Sequence, residues 1–439
     1  MSLPQKAVYK KLSAYFLFLN CVFLLITSCN TPFTSDKIHK DSLTLINLPA
    51  PGTVSAAETE YIKNSCQIWY DSVLKHRGFN GGIIVAKAGH IIFEAYNGTG
   101  HLPGTDTINQ NMPLHIASVS KTFTAMAVLK LWQDGKLNID DPFCKYFPAF
   151  NYPTISIRHL LSHRSGLPNY NYFMEALGWD KKQYASNADV MNYLISRKAE
   201  LTDITAPNTH FTYCNTNYAL LALLIEKISG LSYASYMNQT FFGPLQMKNS
   251  YVFTLADTVK AIPSYNWRGH IEALNFLDGV YGDKNIYTTP RDLLTWDRAL
   301  SCNLIFTDET LKQAYAPYSH EKPGIRNYGL GWRMNLFSDG KKIIYHNGWW
   351  HGSNSAFIRL IPEKATIIVI GNKFTRSIYN AKILSAVFGN YYSPVDEEES
   401  ISPKDSILDF ASPAQKETTS SLKLKPAKKE PFKKKGHKK

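Results

Sequence analysis

The chain has 439 residues, 44% of them hydrophobic and 19% charged, which is enough apolar material for a large buried core. Its 26 tyrosines and 23 phenylalanines exclude a largely disordered polymer. The formal net charge is +13, but residues 413–439 hold ten lysines against two glutamates and carry +8 of it; with no nucleic-acid-binding motif present, the basicity does not argue for a nucleic-acid partner.

The N-terminus reads as a targeting segment. Lys6, Lys10 and Lys11 precede an apolar stretch that runs to Ile26 and is too short and too early for a spanning helix. It ends in Ile26-Thr27-Ser28-Cys29: an aliphatic residue, two small residues and a cysteine, the form of a bacterial lipobox. Residues 1–28 are expected to be a lipoprotein signal peptide and Cys29 the lipidated first residue of the mature chain. Residues 29–58 then form a polar tether to a membrane surface. The location is a bacterial cell envelope, and because Asn30 is not acidic the expected site is the outer membrane where the host has one. Cys66, Cys144, Cys214 and Cys302 are scattered and lack metal-ligand spacing, so neither a metal nor another cofactor is implied.

Residues 82–86 and 91–96 flank Lys87-Ala88-Gly89-His90 and predict a β-hairpin. The strongest chemical signal comes next in the chain. Ser118 and Lys121 form an S-x-x-K pair ahead of a nearly all-apolar run through Leu129. In a helix beginning at Ser118 the two side chains share a face, about 5–6 Å apart at Cβ, so the amine can meet the hydroxyl. A serine hydroxyl is a weak nucleophile until a base takes its proton. A lysine is such a base only where burial or nearby positive charge lowers its pKa, and the apolar run predicts that burial. The same pattern at Ser72/Lys75, Ser319/Lys322 and Ser420/Lys423 opens no apolar helix.

Further on, Tyr213-Cys214-Asn215 precedes an apolar helix over 219–228 closed by Gly230, and another helix is predicted over 292–300. A tyrosine hydroxyl near a cationic amine can pass a proton to a leaving group, and an asparagine side chain can hold lysine or substrate by hydrogen bonds. Residues 343–345, 355–360 and 366–370 predict three more strands. His346-Asn347-Gly348 comes directly after the first of these. The backbone N–H of Trp349 is placed to pair with that of Ser118 as an oxyanion hole, Gly348 permits close approach of substrate to an edge strand, and His346 is expected to face the cleft. The acidic run 396–399 opens a charged tail over 396–439, read as a solvated extension that can touch anionic envelope polymers.

Strands at both ends with helices between predict an α/β (α+β) fold: an antiparallel sheet built from both chain ends, flanked by helices, with an inserted helical lobe and a cleft between. The hydrolase domain is assigned to 59–395, its α/β lobe to about 59–145 and 285–395, and its helical lobe to about 146–284.

Taken in order, these elements resemble the serine β-lactamase and penicillin-binding-protein superfamily, over roughly residues 60–390, and most of all its class C-like branch. Residues 131–142, the segment 155–168 around Leu160-Leu161-Ser162-His163-Arg164-Ser165-Gly166, and Tyr328-Gly329-Leu330-Gly331-Trp332 strengthen the resemblance. It implies a β-lactamase/transpeptidase-like fold, Ser118 as nucleophile, Lys121 as base, Tyr213 as general acid/base, and Asn215, His346, Gly348 and Trp349 as substrate contacts. His346 stands where true β-lactamases carry lysine, which turns the expected substrate from a β-lactam toward a peptide of D-amino-acid type or an ester, including peptidoglycan fragments. The alternative is a wall-binding lipoprotein that keeps the fold without turnover.

Overall fold

The structure is a computed structural model that describes residues 44–391. The expected signal peptide, Cys29 and the charged tail lie outside the described residues. Residues 44–46 belong to a separate N-terminal unit and carry no regular structure. All of the regular structure belongs to the unit that starts at Asn47.

A seven-stranded sheet is the centre of the fold. Its strands are β1 (Gly81–Lys87), β2 (His90–Asn97), β6 (Arg326–Tyr328), β7 (Arg333–Leu336), β8 (Lys342–Trp350), β9 (Ser353–Leu360) and β10 (Ala365–Gly371), in the spatial order β2-β1-β10-β9-β8-β7-β6. Every pairing is antiparallel. The decisive join is β1 against β10, where Ile83 meets Val369 and Val85 meets Ile367, so the sheet is built from both ends of the chain as expected. A second sheet, of β3 (Leu114–His115), β5 (Ile286–Thr288) and β4 (Tyr251–Val252), escapes sequence periodicity because its strands have two or three residues each.

One face of the large sheet packs Ile83, Val85, Ile358, Ile367 and Val369 against Ile62, Cys66 and Tyr70 of helix α1 (Ala56–Tyr70) and Ile378 and Leu384 of the C-terminal 3₁₀ segment. The other face carries helix α8 (Pro290–Leu300), against β1 and β10, and the 3₁₀ turn Ala117–Val119, against β8 and β9, which leads into helix α2 (Ser120–Gln133). Between them in the chain lie α3 (Ile157–Leu161), α4 (Tyr170–Ala176), α5 (Asn187–Ser196), α6 (Asn215–Ser229) and α7 (Tyr233–Met237), with α9 (Asp308–Ala314) after α8. Helix α6 ends at Gly230, which takes φ 72°, a left-handed cap that a side chain would resist.

Two boundaries differ from expectation. The second half of the expected tether is packed. Ser55 caps α1 by accepting from the Glu58 amide, Gly52 N donates to Ala88 O at 2.8 Å, and Arg298 donates to Pro49 O. The Pro- and Gly-interrupted run around them hides a capping serine and a helix start at Ala56. The helix that carries Lys121 also does not begin at Ser118: a 3₁₀ turn, Ala117–Val119, leads into α2 at Ser120.

The buried His115 ties this turn to the middle of the chain. Its Nε2 accepts from the Asn285 amide at 3.1 Å, and burial drives its pKa down to about 3. A histidine that stays neutral when folded but protonates when unfolded costs stability as pH falls below the unfolded value. The loss is about 1.4 kcal/mol per pH unit, beginning near pH 6.5. Thermal unfolding should therefore shift to lower temperature from pH 7 to pH 5, and His115→Gln should reduce that slope by the share of one of the three histidines buried in the neutral form, the others being His163 and His346. An identical slope in the variant would mean that His115 is not its source.

Candidate active site

Ser118 is the one residue from Leu114 to Leu129 that is not buried. The residue before it, Ala117, is held at φ 47°, a left-handed conformation uncommon for a residue with a Cβ. That twist breaks the strand-to-helix path and turns the hydroxyl outward. Lys121, fully buried, reaches back along the helix face, and its Nζ stands 3.0 Å from Ser118 Oγ. The i, i+3 pair thus meets as its spacing predicts, although the first turn is 3₁₀.

The second fixed point for the amine has no sequence signal. Lys121 Nζ donates to the backbone carbonyl of Asp283 at 2.8 Å. That carbonyl is placed by a pinned loop. Thr124 Oγ1 donates to Gly282 O at 2.5 Å, and Asn187 exchanges bonds with both Tyr281 O and Tyr281 N, at 2.8 and 3.0 Å. Asn285, at φ 76°, closes the loop by donating to Asp278 O and Val280 O. Nothing in the pattern of residues 281–285 announces a backbone acceptor, since the contact lies in the path of the chain and not in a side chain.

Tyr213 sits at the end of the loop before α6. Its ring has Lys121 Nζ at 4.9 Å and the guanidinium carbon of Arg333 at 4.8 Å from its centroid. Arg333 is a second site residue that no motif marks. It belongs to β7, whose pairing with β8 sets Arg333 opposite Tyr345. Behind Tyr213, the His163 ring packs at 4.5 Å, and its Nδ1 accepts from the Cys214 amide at 3.1 Å. Burial, with Lys121 and His346 as neighbours, holds His163 neutral, well below the usual imidazole range. The Cys214 thiol is buried against Leu167 O and Pro168 O, and its pKa is pushed up to about 11, so it packs and does not react. Asn215 opens α6 with its Oδ1 buried and lacking a hydrogen-bond partner among the described residues.

His346-Asn347-Gly348 lies inside β8, not after it. The β7 ladder ends at Tyr345, whereas the β9 ladder continues to Trp350, so one side of residues 346–350 is left unpaired by β7. Gly348 lies directly against the nucleophile turn. A Cβ there would stand 3.1 Å from Ser118 N and 2.3 Å from Ile116 O. The Ser118 amide and the strand that carries the Trp349 amide are thereby brought together.

His346 departs from expectation. Its side chain is fully buried, with Nε2 at 3.3 Å from the Tyr328 hydroxyl and Nδ1 at 2.7 Å from Asn347 O. Burial, then Arg333 and Lys121, holds it neutral, well below the ordinary imidazole range. It walls the site behind Tyr213, with ring centroids 6.2 Å apart, and presents no surface to a ligand. Tyr328, which comes from β6 two strands away and reaches past the end of the β7 ladder, decides this, and no local pattern around residue 346 reveals it.

This fold, with a serine hydroxyl on a lysine amine beneath a tyrosine, defines a class: serine hydrolases with a β-lactamase/penicillin-binding-protein fold. Residues 69–381 match the Beta-lactamase family model, and the chain belongs to that family. Among its relatives, Penicillin-binding protein 4* of Bacillus subtilis (strain 168) is 29% identical over 357 residues, covering 76% of this chain and 78% of that protein. D-aminopeptidase of Brucella anthropi is 25% identical over 300 residues, covering 68% of this chain but only 56% of that longer protein. Among solved structures, the penicillin binding protein from Bacillus halodurans superposes with a TM-score of 0.64 at 21% identity, covering 74% of this chain and 98% of that one. D-amino acid amidase from Ochrobactrum anthropi SV3 gives 0.61 at 20% identity, covering 76% and 97%.

Proposed function

We propose that the protein cleaves a peptide or ester bond through an acyl-enzyme on Ser118. The observation that carries this reading is the 3.0 Å approach of the buried Lys121 amine to the one partly exposed hydroxyl of its helix. Neutral Lys121 takes the Ser118 proton as Oγ attacks the substrate carbonyl carbon. The carbonyl oxygen gains the negative charge and is received by the amides of Ser118 and Trp349. Tyr213 passes a proton to the departing amine or alcohol, and water then releases the acyl group by the reverse proton path. Asn215, half-buried at the start of α6 beside Tyr213, lines the acyl side of the site, although its Oδ1 is enclosed and would need a side-chain rotation to accept a substrate N–H. The open side of residues 346–350 suits a substrate backbone lying as an added strand. The names of D-aminopeptidase and D-amino acid amidase favour an amide bond next to a D-residue. Labelling with a fluorophosphonate, then a panel of short esters, D-aminoacyl amides and D-dipeptides, tests the reading; no Ser118 adduct and no turnover would leave a wall-binding lipoprotein.

Arg333 changes the expected selectivity. With His346 neutral and enclosed, the fixed positive charge beside Tyr213 comes from β7. A carboxylate on the leaving group meets a guanidinium that stays charged throughout the working pH range. Arg333→Ala should raise KM for a carboxylate-bearing D-dipeptide roughly tenfold or more, the size of a charged hydrogen bond, while a neutral ester serves as internal control. Equal losses on both substrates would show that Arg333 acts only through Tyr213.

We further propose that the mature protein is held to the envelope by lipid on Cys29. The four-residue lipobox supports this, and the described residues contain no helix long and apolar enough to cross a membrane. Cys29→Ser should move the protein from the membrane fraction to the soluble one; a variant still sedimenting with membranes in low and high salt would point to another anchor.

A further inference from the structure

Lys284 is a second lysine of the site, and the acylation steps make no direct use of it. Its side chain is 2% exposed. The ammonium donates to the Tyr170 hydroxyl at 2.5 Å, and that hydroxyl donates to Asp283 Oδ2 at 2.9 Å. Asp283 Oδ1 stands 3.5 Å from the same ammonium, and the Trp350 ring at the end of β8 lies 4.6 Å from it. Asp283 is therefore held on two sides. Its carboxylate is enclosed by Tyr170 and Lys284, while its backbone carbonyl receives Lys121 Nζ at 2.8 Å. The two lysines converge on one residue, from its main chain and from its side chain.

We propose that Lys284 is a positioning residue for Lys121: it fixes the Asp283 carbonyl that orients the amine, and its charge keeps that amine in the unprotonated form needed to activate Ser118. This rests on the Ser118–Lys121 reading of the site. The balance of charge around the amine supports it. Lys121 lies against Tyr213 and Tyr218 and near His163 and His346; burial keeps the two imidazoles neutral, so Arg333, on the Tyr213 ring, is the firm cation of that side. On its Asp283 side lie two carboxylates, Asp283 and Asp278, both buried, and each would favour a protonated Lys121. His351 and the Trp350 indole N–H occupy Asp278, His351 at 3.0 Å and the indole at 2.7 Å, and His115 on this side is neutral. Lys284 offsets the carboxylate nearest to the base. Burial holds the Lys284 pKa below the usual lysine range, against the upward pull of Asp283 and Asp278, and the repulsion between Lys284 and Lys121 is mutual. A strand-borne lysine is not available for this task, because β8 carries His346 in that place.

The test is the pH dependence of acylation by a neutral ester, measured with full-length protein. Lys284→Met removes the charge. The acid limb of the profile, where Lys121 must lose its proton, should move upward by roughly half a pH unit or more, with the rate recovering at high pH. Lys284→Gln keeps a donor for Tyr170 and should move the limb the same way, which covers the case in which the methionine variant does not fold. Lys284→Arg keeps the charge and should leave the limb in place. A rate lowered equally at every pH, with the limb unmoved in the methionine and glutamine variants, would overturn the proposal and leave Lys284 a packing residue. Lys121→Ala separates the two ideas: if that variant acylates at the parent rate, the Ser118–Lys121 reading itself has failed.

Discussion

Ser118→Ala should leave no covalent adduct with a fluorophosphonate and should reduce turnover of a short ester by roughly four orders of magnitude or more, as loss of a nucleophile does elsewhere. The substitution removes one hydroxyl from a partly exposed position, and Lys121 keeps its bond to Asp283 O. Thermal unfolding should therefore change little. Lys121→Ala should cost a comparable factor, because a hydroxyl without its base is nearly as inert as no hydroxyl. The double variant should be no worse than either single one, since the pair acts as a unit. Intact-protein mass spectrometry after labelling reads the first result, and an adduct on the alanine variant would move the nucleophile elsewhere.

The second large effect is expected at a residue with no side chain. In Gly348→Ala the new Cβ would stand 2.3 Å from both Ile116 O and Ser355 Oγ, and 3.1 Å from Ser118 N. The crowding is not easily relieved. Ser355 Oγ already donates to Ile116 O at 2.6 Å, and the Ile116 amide is bonded to Ile286 O at 3.0 Å. Either β8 or the nucleophile turn must move, and a shift of about 1 Å at reacting atoms costs on the order of a hundredfold in rate. Overpacking should add a loss of about 1–3 kcal/mol in stability. Gly340→Ala is the control. Gly340 has positive φ, at 85°, but a Cβ there meets nothing within 4 Å, so only backbone strain is at stake and activity should persist. Parent-like kcat in the Gly348 variant would mean that β8 does not form one wall of the oxyanion site.

What can be read from the chain alone is what is local. Ser118 and Lys121 are three residues apart on one turn, and the apolar run after them forecasts the burial of the amine. The hairpin over β1 and β2 and the strands β9 and β10 are legible from alternation and turn residues. What escapes depends on register and loop path. Arg333 reaches Tyr213 because β7 is paired with β8 at Tyr345, and a shift of register would send it elsewhere. The Asp283 carbonyl is an acceptor that any residue could supply. His346 is enclosed by Tyr328, which comes from β6 two strands away in the sheet. Local pattern thus locates the Ser118–Lys121 pair, while the groups around it are supplied by the tertiary fold.

The pairing of β1 with β10 has a bearing on when activity can first exist. Residues 81–87 pair locally with 90–97 but find their second partner only at 365–371, and Gly348 reaches the Ser118 turn across more than half of the domain. A chain emerging N-terminus first would present Ser118 and Lys121 long before the strand that completes the oxyanion site. Closing such distant pairings is slow compared with forming local helices. Until β8, β9 and β10 arrive, β1 has an unsatisfied edge, and an early stop or a stalled chain leaves a sticky hairpin with no working centre. The Ser118 site in this architecture is thus completed late in synthesis.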